Sequence, residues 1–249
     1  MIPIERPAEP IALREQRAKR LPEFRATANK DPEGIDGYQC VRSALFAAQH
    51  HKCCYCEKAT EEKHNHVEHY RPKSRYWWLA WTWDNLLYAC EVCNELKGER
   101  FPLHGGVPLH AEESPPGTEI ALLLNPAATG ANPIGHIQFR FFQGQWRPFP
   151  RGGSRSGAET IRLCGLDRVD LLDLYRKHAI SMEASLNALR RALADHDLAK
   201  VQALWHDLTQ SFTSPGQPFT ALSLDIMDQT IPKVQRDHYG LSLPSPGGA

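Results

Sequence analysis

Two cysteine pairs of identical spacing are the residues in this chain best suited to chemistry. Cys53 and Cys56 form one pair, and Cys90 and Cys93 form the other. Two intervening residues let both thiolates of a pair reach one ion, and two pairs complete the four-sulfur tetrahedral shell that zinc prefers. We therefore predict a closed, structural zinc site. Cys54 is an alternative to Cys53, but the matched spacing favours Cys53; four reduced core cysteines are the plain alternative.

An acidic residue next to a histidine lies between the cysteine pairs. His69 can take a proton from water near neutral pH, and Glu68 can hold a hard divalent cation. Adjacent side chains of an extended segment point to opposite faces, so a bend is needed to bring both to one site, and Pro72 favours one. Taken alone the pair predicts little, because solvated Glu-His pairs are common.

Two asparagines and a lysine complete the set of candidates. Asn94 directly follows Cys93, and its amide oxygen is a plausible metal ligand. Asn85 can hydrogen-bond backbone and hold the loop that carries His69, although a cap or turn role is the plain reading of either asparagine. Lys97 lies one helical turn after Asn94 and is either a phosphate contact or a surface lysine.

The overall charge gives no support for nucleic-acid binding. The chain has 249 residues, with 29 Lys and Arg against 29 Asp and Glu. A protein that binds nucleic acid with this balance must concentrate positive charge locally or borrow it from a partner. Basic residues do crowd one segment: Lys63, His64, His66, His69, Arg71, Lys73 and Arg75. The alternative for this segment is a solvated loop.

Four tryptophans lie in the same part of the chain: Trp77, Trp78, Trp81 and Trp83. They could stack on bases, but the favoured interpretation is that most of them cover a small core. No apolar run approaches the length of a membrane span, and no signal peptide is evident, so we expect a cytoplasmic protein that does not enter a membrane. Seven cysteines and no export signal argue against a disulfide framework.

The elements around these residues predict an α+β fold. We expect an N-terminal helical segment (1–52), a zinc-braced core (53–103), a loop and β-hairpin region (104–165), a C-terminal helical region (166–240) and a flexible tail (241–249). Apolar periodicity and turn residues predict the following elements: helices 10–27, with a kink or break at Pro22, and 38–49; a buried strand 119–125; hairpin strands 136–142 and 145–149; a flexible basic loop 151–157; and helices 167–194, 197–212 and 219–238, the last interrupted at Pro232.

The order of the motifs resembles the HNH endonuclease family. It runs CCYC, VEHYRPK, WDNLLYAC and CNELKG, with Asn94 in place of the last histidine, as in the HNN variant found in CRISPR effector nucleases. The resemblance implies a zinc-braced ββα-metal finger that hydrolyses phosphodiester bonds. It implies His69 as general base, Glu68 and Asn94 as ligands of Mg²⁺ or Mn²⁺, and Asn85 as the residue that holds the loop. Lys97 joins His69 and Asn85 in our candidate catalytic set.

A narrower resemblance covers about residues 1–180. MIPIERPAEP, LLLNPA and ETIRLCGLDRVDLLDLYRKH look like the HNH nuclease subunit of Septu-type and some retron-linked bacterial anti-phage systems. That resemblance implies a DNA or RNA substrate and an ATPase partner of the ABC/SMC-like type. The helices after residue 165 would then be either docking surfaces or an ordinary helical core.

Two other functions fit parts of the sequence. A non-catalytic zinc module that binds nucleic acid or protein would keep the four cysteines and need neither Glu68 nor His69. A hydrolase with a catalytic zinc would need an open coordination position, which four cysteine ligands would already fill.

Overall fold

A computed structural model describes residues 1–27, 31–105 and 119–245. The described helices and strands follow one another in the order α1 (Ile11–Ala26), α2 (Arg42–Ala48), β1 (Asn65–His69), β2 (Leu86–Cys90), α3 (Glu91–Lys97), β3 (Ile137–Phe142), β4 (Gln145–Pro150), α4 (Arg155–Leu163), α5 (Val169–Ala194), α6 (Leu198–Thr213), α7 (Thr220–Thr230) and α8 (Lys233–His238). The α+β class and the ββα arrangement predicted from the sequence are confirmed.

The β1–β2 ribbon lies between two layers of the molecule. The strands are antiparallel, and all five residues of β2 are buried. Because side chains alternate between the faces of a strand, Leu86 and Tyr88 join one hydrophobic cluster, while Leu87 and Ala89 join the other. Burial on both faces explains why β2 is apolar without alternation.

The N-terminal segment covers one face of the ribbon. Leu13 of α1, Leu45 of α2 and Val41, which directly precedes α2, pack in the same cluster as Trp81 and Tyr88. Helix α1 contains Pro22 without ending there, and the predicted helix 38–49 is divided into a 3₁₀ turn (Tyr38–Val41) followed by α2. The N-terminal helices therefore pack on the β1–β2 ribbon and share a hydrophobic cluster with it.

The C-terminal helices cover the other face. Helix α5 buries residues at helical spacing, among them Leu171, Tyr175, Met182 and Leu186. They belong to one cluster that also contains the four cysteines of the predicted zinc site. The predicted helices 167–194, 197–212 and 219–238 are confirmed, the last with its interruption before Pro232. The region after 166 thus shares its core with the finger.

The predicted strand 119–125 is wrong. This segment makes only an isolated bridge, between Leu103 and Ala121. A longer ladder is prevented because Pro102 has no N–H to donate, and because the N–H of Leu124 donates to Thr160 Oγ1 instead. Ile120 is also 62% exposed, which does not suit a buried strand. Residues 106–118, in the first part of the predicted loop and β-hairpin region, lie outside the described residues.

The hairpin is confirmed as β3 and β4, whereas the flexible loop predicted at 151–157 is wrong. Arg151–Gly153 form a 3₁₀ turn, and Ser154 caps α4 by accepting a hydrogen bond from the Gly157 N–H at 3.1 Å. Gly157 permits a close approach, since a Cβ there would lie 2.1 Å from the His136 carbonyl oxygen. The segment is ordered because it caps a helix.

The start of the predicted flexible tail packs against α6. Leu241 is buried, and the indole N–H of Trp205 donates to the Ser242 carbonyl at 2.9 Å. The last residues, 246–249, lie outside the described part. Among the helices that the structure describes, none has the length and apolar character needed to cross a membrane.

Candidate active site

The four predicted zinc ligands come together in a buried cluster. The sulfurs of Cys53, Cys56, Cys90 and Cys93 all lie within 4.8 Å of one another, and Cys56 Sγ is 3.8 Å from Cys90 Sγ. Tetrahedral coordination with zinc–sulfur bonds of about 2.3 Å places sulfurs about 3.8 Å apart. The chemistry and the spacing of this donor set therefore fit one zinc ion. Cys54 is buried outside the cluster, as the spacing predicted.

Local backbone structure holds the sulfurs in place. In the first pair, the Glu57 N–H donates to the Cys53 carbonyl at 3.0 Å, and Glu57 adopts a left-handed conformation with φ of 59°. In the second pair, Cys90 ends β2 and Cys93 lies in the first turn of α3. A zinc ion here would join the start of the finger to its strand and helix.

Arg168 lies against this cluster from the C-terminal region. Its Nη1 atom is 3.6 Å from Cys93 Sγ and donates to the carbonyl of Cys164 at 3.2 Å. Its Nη2 atom is buried without a hydrogen-bond partner in the described part of the chain. Four thiolates around Zn²⁺ carry a net negative charge, which the guanidinium offsets. Sequence reasoning missed Arg168 because it lies far along the chain from the cysteines.

His69 is buried with one ring nitrogen fixed. It ends β1, and its Nε2 is 3.0 Å from the Ala80 carbonyl oxygen. Since a carbonyl only accepts, Nε2 carries the hydrogen and Nδ1 has the lone pair that can take a proton. Burial lowers the pKa of His69 to about 3, with the nearby cations Lys73 and Lys97 contributing in the same direction. The ring is therefore neutral at pH 7, as a general base must be.

Asn85 fastens the loop that connects the two strands. Its Oδ1 accepts from the Arg71 N–H at 2.8 Å, and its Nδ2 donates to the Arg71 carbonyl at 3.1 Å and the Leu79 carbonyl at 3.3 Å. Leu79 precedes Ala80, whose carbonyl holds His69. Asn85 therefore ties the residues just after His69 to the segment that contains Ala80, and it holds the loop as expected from the sequence.

Glu68 and Lys97 form a buried ion pair. Lys97 Nζ lies 2.6 Å from Glu68 Oε1, 2.8 Å from the His69 carbonyl oxygen and 3.2 Å from that of Gly98. The Tyr55 hydroxyl donates to the same carboxylate oxygen at 3.3 Å. Burial raises the pKa of Glu68, while Lys97 opposes the shift. The surface position considered for Lys97 is wrong, because only 1% of the residue is exposed.

Asn94 lies half-buried in the middle of α3, three residues before Lys97. Residues at that separation share a helix face, so Asn94 is on the side from which Lys97 reaches Glu68. Carboxylate and amide oxygens are ligands that Mg²⁺ accepts. Both hydrogen-bonding contacts of the Glu68 carboxylate in the described chain are to Oε1, which leaves Oε2 for a cation. An ion bound by Glu68 would share the carboxylate with Lys97, and Asn94 offers an amide oxygen of the kind that Mg²⁺ accepts.

The predicted basic patch around residues 63–75 is not one exposed surface. His69 and Arg71 are buried, and Lys73 Nζ donates to the Pro32 carbonyl at 2.8 Å. Lys63 pairs with Glu61 at 3.4 Å, and nothing is described for the side chain of His64. Of the four tryptophans, Trp78, Trp81 and Trp83 are buried, so the interpretation that most of them cover the core is confirmed.

Two further contacts, one on the His69 ring and one on nearby Arg71, were not evident from the sequence. The ring of Tyr38 packs edge-on against the imidazole, with centroids 4.5 Å apart. The Arg71 guanidinium lies 4.9 Å from the centre of the Phe101 ring and 3.6 Å from Glu119 Oε2. Both arise from tertiary contacts between distant segments, for which no local pattern exists.

Comparisons with known proteins agree with this site. Residues 53–100 match the family model described as HNH endonuclease. The chain is 26% identical over 272 aligned residues to Septu protein PtuB of Bacillus mycoides (strain KBAB4), covering 91% of this chain and 89% of that protein. It is 37% identical over 174 residues to Septu protein PtuB of Bacillus thuringiensis, covering 69% of this chain and 57% of that relative.

The match to the family model spans both cysteine pairs, His69, Asn85 and Asn94, and the similarity to the two relatives extends well beyond it. Residues 53–100 are thus similar to HNH endonucleases, and over most of its length the chain is similar to Septu protein PtuB.

Proposed function

We propose that this chain is a metal-dependent endonuclease that hydrolyses phosphodiester bonds of DNA or RNA. The observation that carries the proposal is the neutral His69 imidazole, held through Nε2 by Ala80 in a loop that Asn85 fastens. A positioned base of this kind serves phosphodiester hydrolysis, which needs a deprotonated water for in-line attack. The ribbon and helix that carry it are braced by four cysteines suited to zinc.

The roles of the individual side chains follow from their contacts. His69 Nδ1 takes the proton of the attacking water, while the Ala80 carbonyl keeps the ring in the required tautomer. Glu68 and Asn94 are the residues that would hold Mg²⁺ or Mn²⁺, which supplies charge neutralisation at the phosphate and the leaving oxygen. Lys97 orients Glu68 and the His69 backbone from inside the core, so we assign it a positioning role and not a phosphate contact.

We also propose that the chain is the effector of an anti-phage defence system and acts with an ATPase subunit of the ABC/SMC-like type. The support is its similarity to Septu protein PtuB along most of its length. The neutral net charge agrees with an effector whose partner supplies part of the electrostatic affinity for the substrate.

Cleavage of labelled nucleic acid tests the proposal. The purified chain, with and without a candidate ATPase subunit and ATP, is incubated with DNA and with RNA in the presence of Mg²⁺ or Mn²⁺. We expect product in at least one combination and none when the divalent ion is omitted. Absence of product in every combination would instead support a non-catalytic zinc module.

A further inference from the structure

Positive charge is concentrated in a part of this neutral chain that lies outside the finger. Between Glu119 and Glu159 there is no acidic residue, and the interval contains four arginines: Arg140, Arg147, Arg151 and Arg155. The hairpin formed by β3 and β4 lies within this interval. A local excess of this kind is what a neutral protein needs in order to attract a polyanion.

Only one of the four arginines, Arg151, forms an ion pair in the described part of the chain. Arg151 pairs with Asp225 at 2.7 Å, and Arg155 Nη1 is 3.1 Å from His104 Nδ1. Arg140 and Arg147 lie directly opposite each other in the ladder, and in the described part of the chain neither forms an ion pair. Like charges directly opposite each other destabilise a hairpin, so the pair is costly unless a ligand neutralises it.

The same face of the hairpin also exposes aromatic rings. Ile137 and Phe139 are buried against the core, so the alternation of side chains turns Arg140 and Phe142 outward. Phe142 is 48% exposed and contacts the Phe149 ring at a centroid distance of 5.8 Å, and the Arg140 guanidinium lies 4.1 Å from the centre of Phe149. A solvated sheet face ordinarily carries polar residues, whereas this face carries two cations and two rings.

We propose that this outward face of the hairpin binds single-stranded nucleic acid. Arg140 and Arg147 contact phosphates, and Phe142 stacks on an unpaired base. Guanidinium groups without counter-charge beside an exposed ring match the two parts of a nucleotide strand, its anionic backbone and its π-faced bases. This surface would hold the substrate of the proposed nuclease, on which the proposal rests, but binding can be measured without cleavage.

Binding is measured by fluorescence anisotropy without added divalent ion. The probes are labelled DNA and RNA single strands of about 20 nucleotides, longer than the site of a single such surface, and a duplex of the same sequence. Wild type is compared with Arg140→Ala/Arg147→Ala and with a control, Arg176→Ala/Arg190→Ala, which removes two exposed arginines from α5. The two single-strand probes decide whether the strand is DNA or RNA.

We expect the hairpin variant to bind at least about tenfold more weakly, and its slope of log affinity against log salt to fall by about 1.4, since each phosphate contact on a single strand contributes about 0.7. The control should match wild type in both. Unchanged affinity and slope in the hairpin variant, or no binding of a single strand by wild type, would overturn the proposal.

Substitutions of Phe142 separate stacking from apolar docking. Phe142→Leu keeps apolar surface but no aromatic ring, so we expect a loss of at least about fivefold, whereas Phe142→Trp should bind as wild type does. If Phe142→Leu binds the strand normally but no longer associates with an ATPase subunit, the face is a protein-docking surface and the proposal is wrong. Cleavage is assayed separately. If the hairpin variant loses binding but wild type cleaves nothing, only the proposed nuclease function is wrong. If wild type cleaves but the hairpin variant binds as wild type does, only the proposed role of the hairpin is wrong.

Discussion

The ammonium group of Lys97 lies 2.6 Å from Glu68 Oε1 and 2.8 Å from the carbonyl oxygen of His69. One side chain at the end of α3 therefore fixes both members of the Glu-His pair on β1. The contact explains how adjacent residues of a strand serve one site: Lys97 binds the side chain of Glu68 and the backbone of His69, while the His69 ring is held separately by Ala80.

Removing Lys97 should destabilise the fold strongly. Lys97→Met leaves the Glu68 carboxylate buried without its cation, and we expect the free energy of unfolding to fall by about 3–5 kcal/mol, measured in urea. Lys97→Met/Glu68→Gln should recover much of the loss because no charge is left unpaired. The exposed control Lys63→Met should change it by less than about 1 kcal/mol. A loss no larger for Lys97→Met than for this control would contradict the buried pair.

Removing Asn85 should loosen the loop. Asn85→Ala leaves the buried Arg71 N–H without its acceptor, so we expect a loss of about 1–3 kcal/mol in the free energy of unfolding and faster hydrogen exchange at Arg71. Asn85→Asp keeps the acceptor and should preserve more of the protection at that amide. Equal exchange in all three proteins would show that Asn85 does not hold the loop.

Zinc content should depend on Cys90 and not on Cys54. Elemental analysis of wild type should give about one zinc per chain, since four cysteines form one closed site. Cys90→Ser should lose most of it, whereas Cys54→Ser, at a buried cysteine outside the cluster, should keep it. A zinc content of Cys90→Ser equal to that of wild type would show that Cys90 is not a zinc ligand.

Arg168 should slow the release of that zinc. In Arg168→Met the Cys93 thiolate loses its neighbouring guanidinium, so transfer of zinc to a chromogenic chelator should be faster. Outer contacts of a metal site are worth about 10–100-fold in affinity. Arg162→Met, on the exposed side of α4, serves as the control. Equal release from both variants would show that Arg168 does not support the site.

Stability should fall below pH 6.5 because of His178. Burial lowers the pKa of this histidine to about 4, and its Nε2 lies 2.7 Å from Ser223 Oγ. The unfolded chain takes up the proton first, so the free energy of unfolding drops as pH falls from about 6.5 to about 4, by at most about 1.4 kcal/mol per unit. In His178→Gln the decline over this window should be shallower. Parallel curves for the two proteins would contradict the assignment.

The sequence predicted the parts of the site that depend on local spacing. The cysteine pairs, the loop contact of Asn85 and the long C-terminal helices follow from patterns within a few residues of each other. The surface and phosphate-contact positions considered for Lys97 were wrong. Helix periodicity shows which side of α3 carries Lys97 but not which element packs on that side, and that element is β1. The sequence could not predict the contacts made by Arg168, Tyr38 and the Ala80 carbonyl, because only tertiary folding brings these groups to the finger.

The strand predicted at 119–125 failed for a different reason. Its apolar residues suit a buried strand, but pairing requires a partner with free N–H groups, and the neighbouring segment begins with Pro102. A propensity pattern does not contain that information.

The cleavage rate of His69→Ala tests whether His69 is the general base of a nuclease. The matched control is His66→Ala, which removes an exposed histidine from the same strand. With equal zinc content and unfolding midpoints, we predict a fall of about 10²–10⁴-fold for His69→Ala and a wild-type rate for His66→Ala. Cleavage by His69→Ala at the wild-type rate would show that His69 is not the general base.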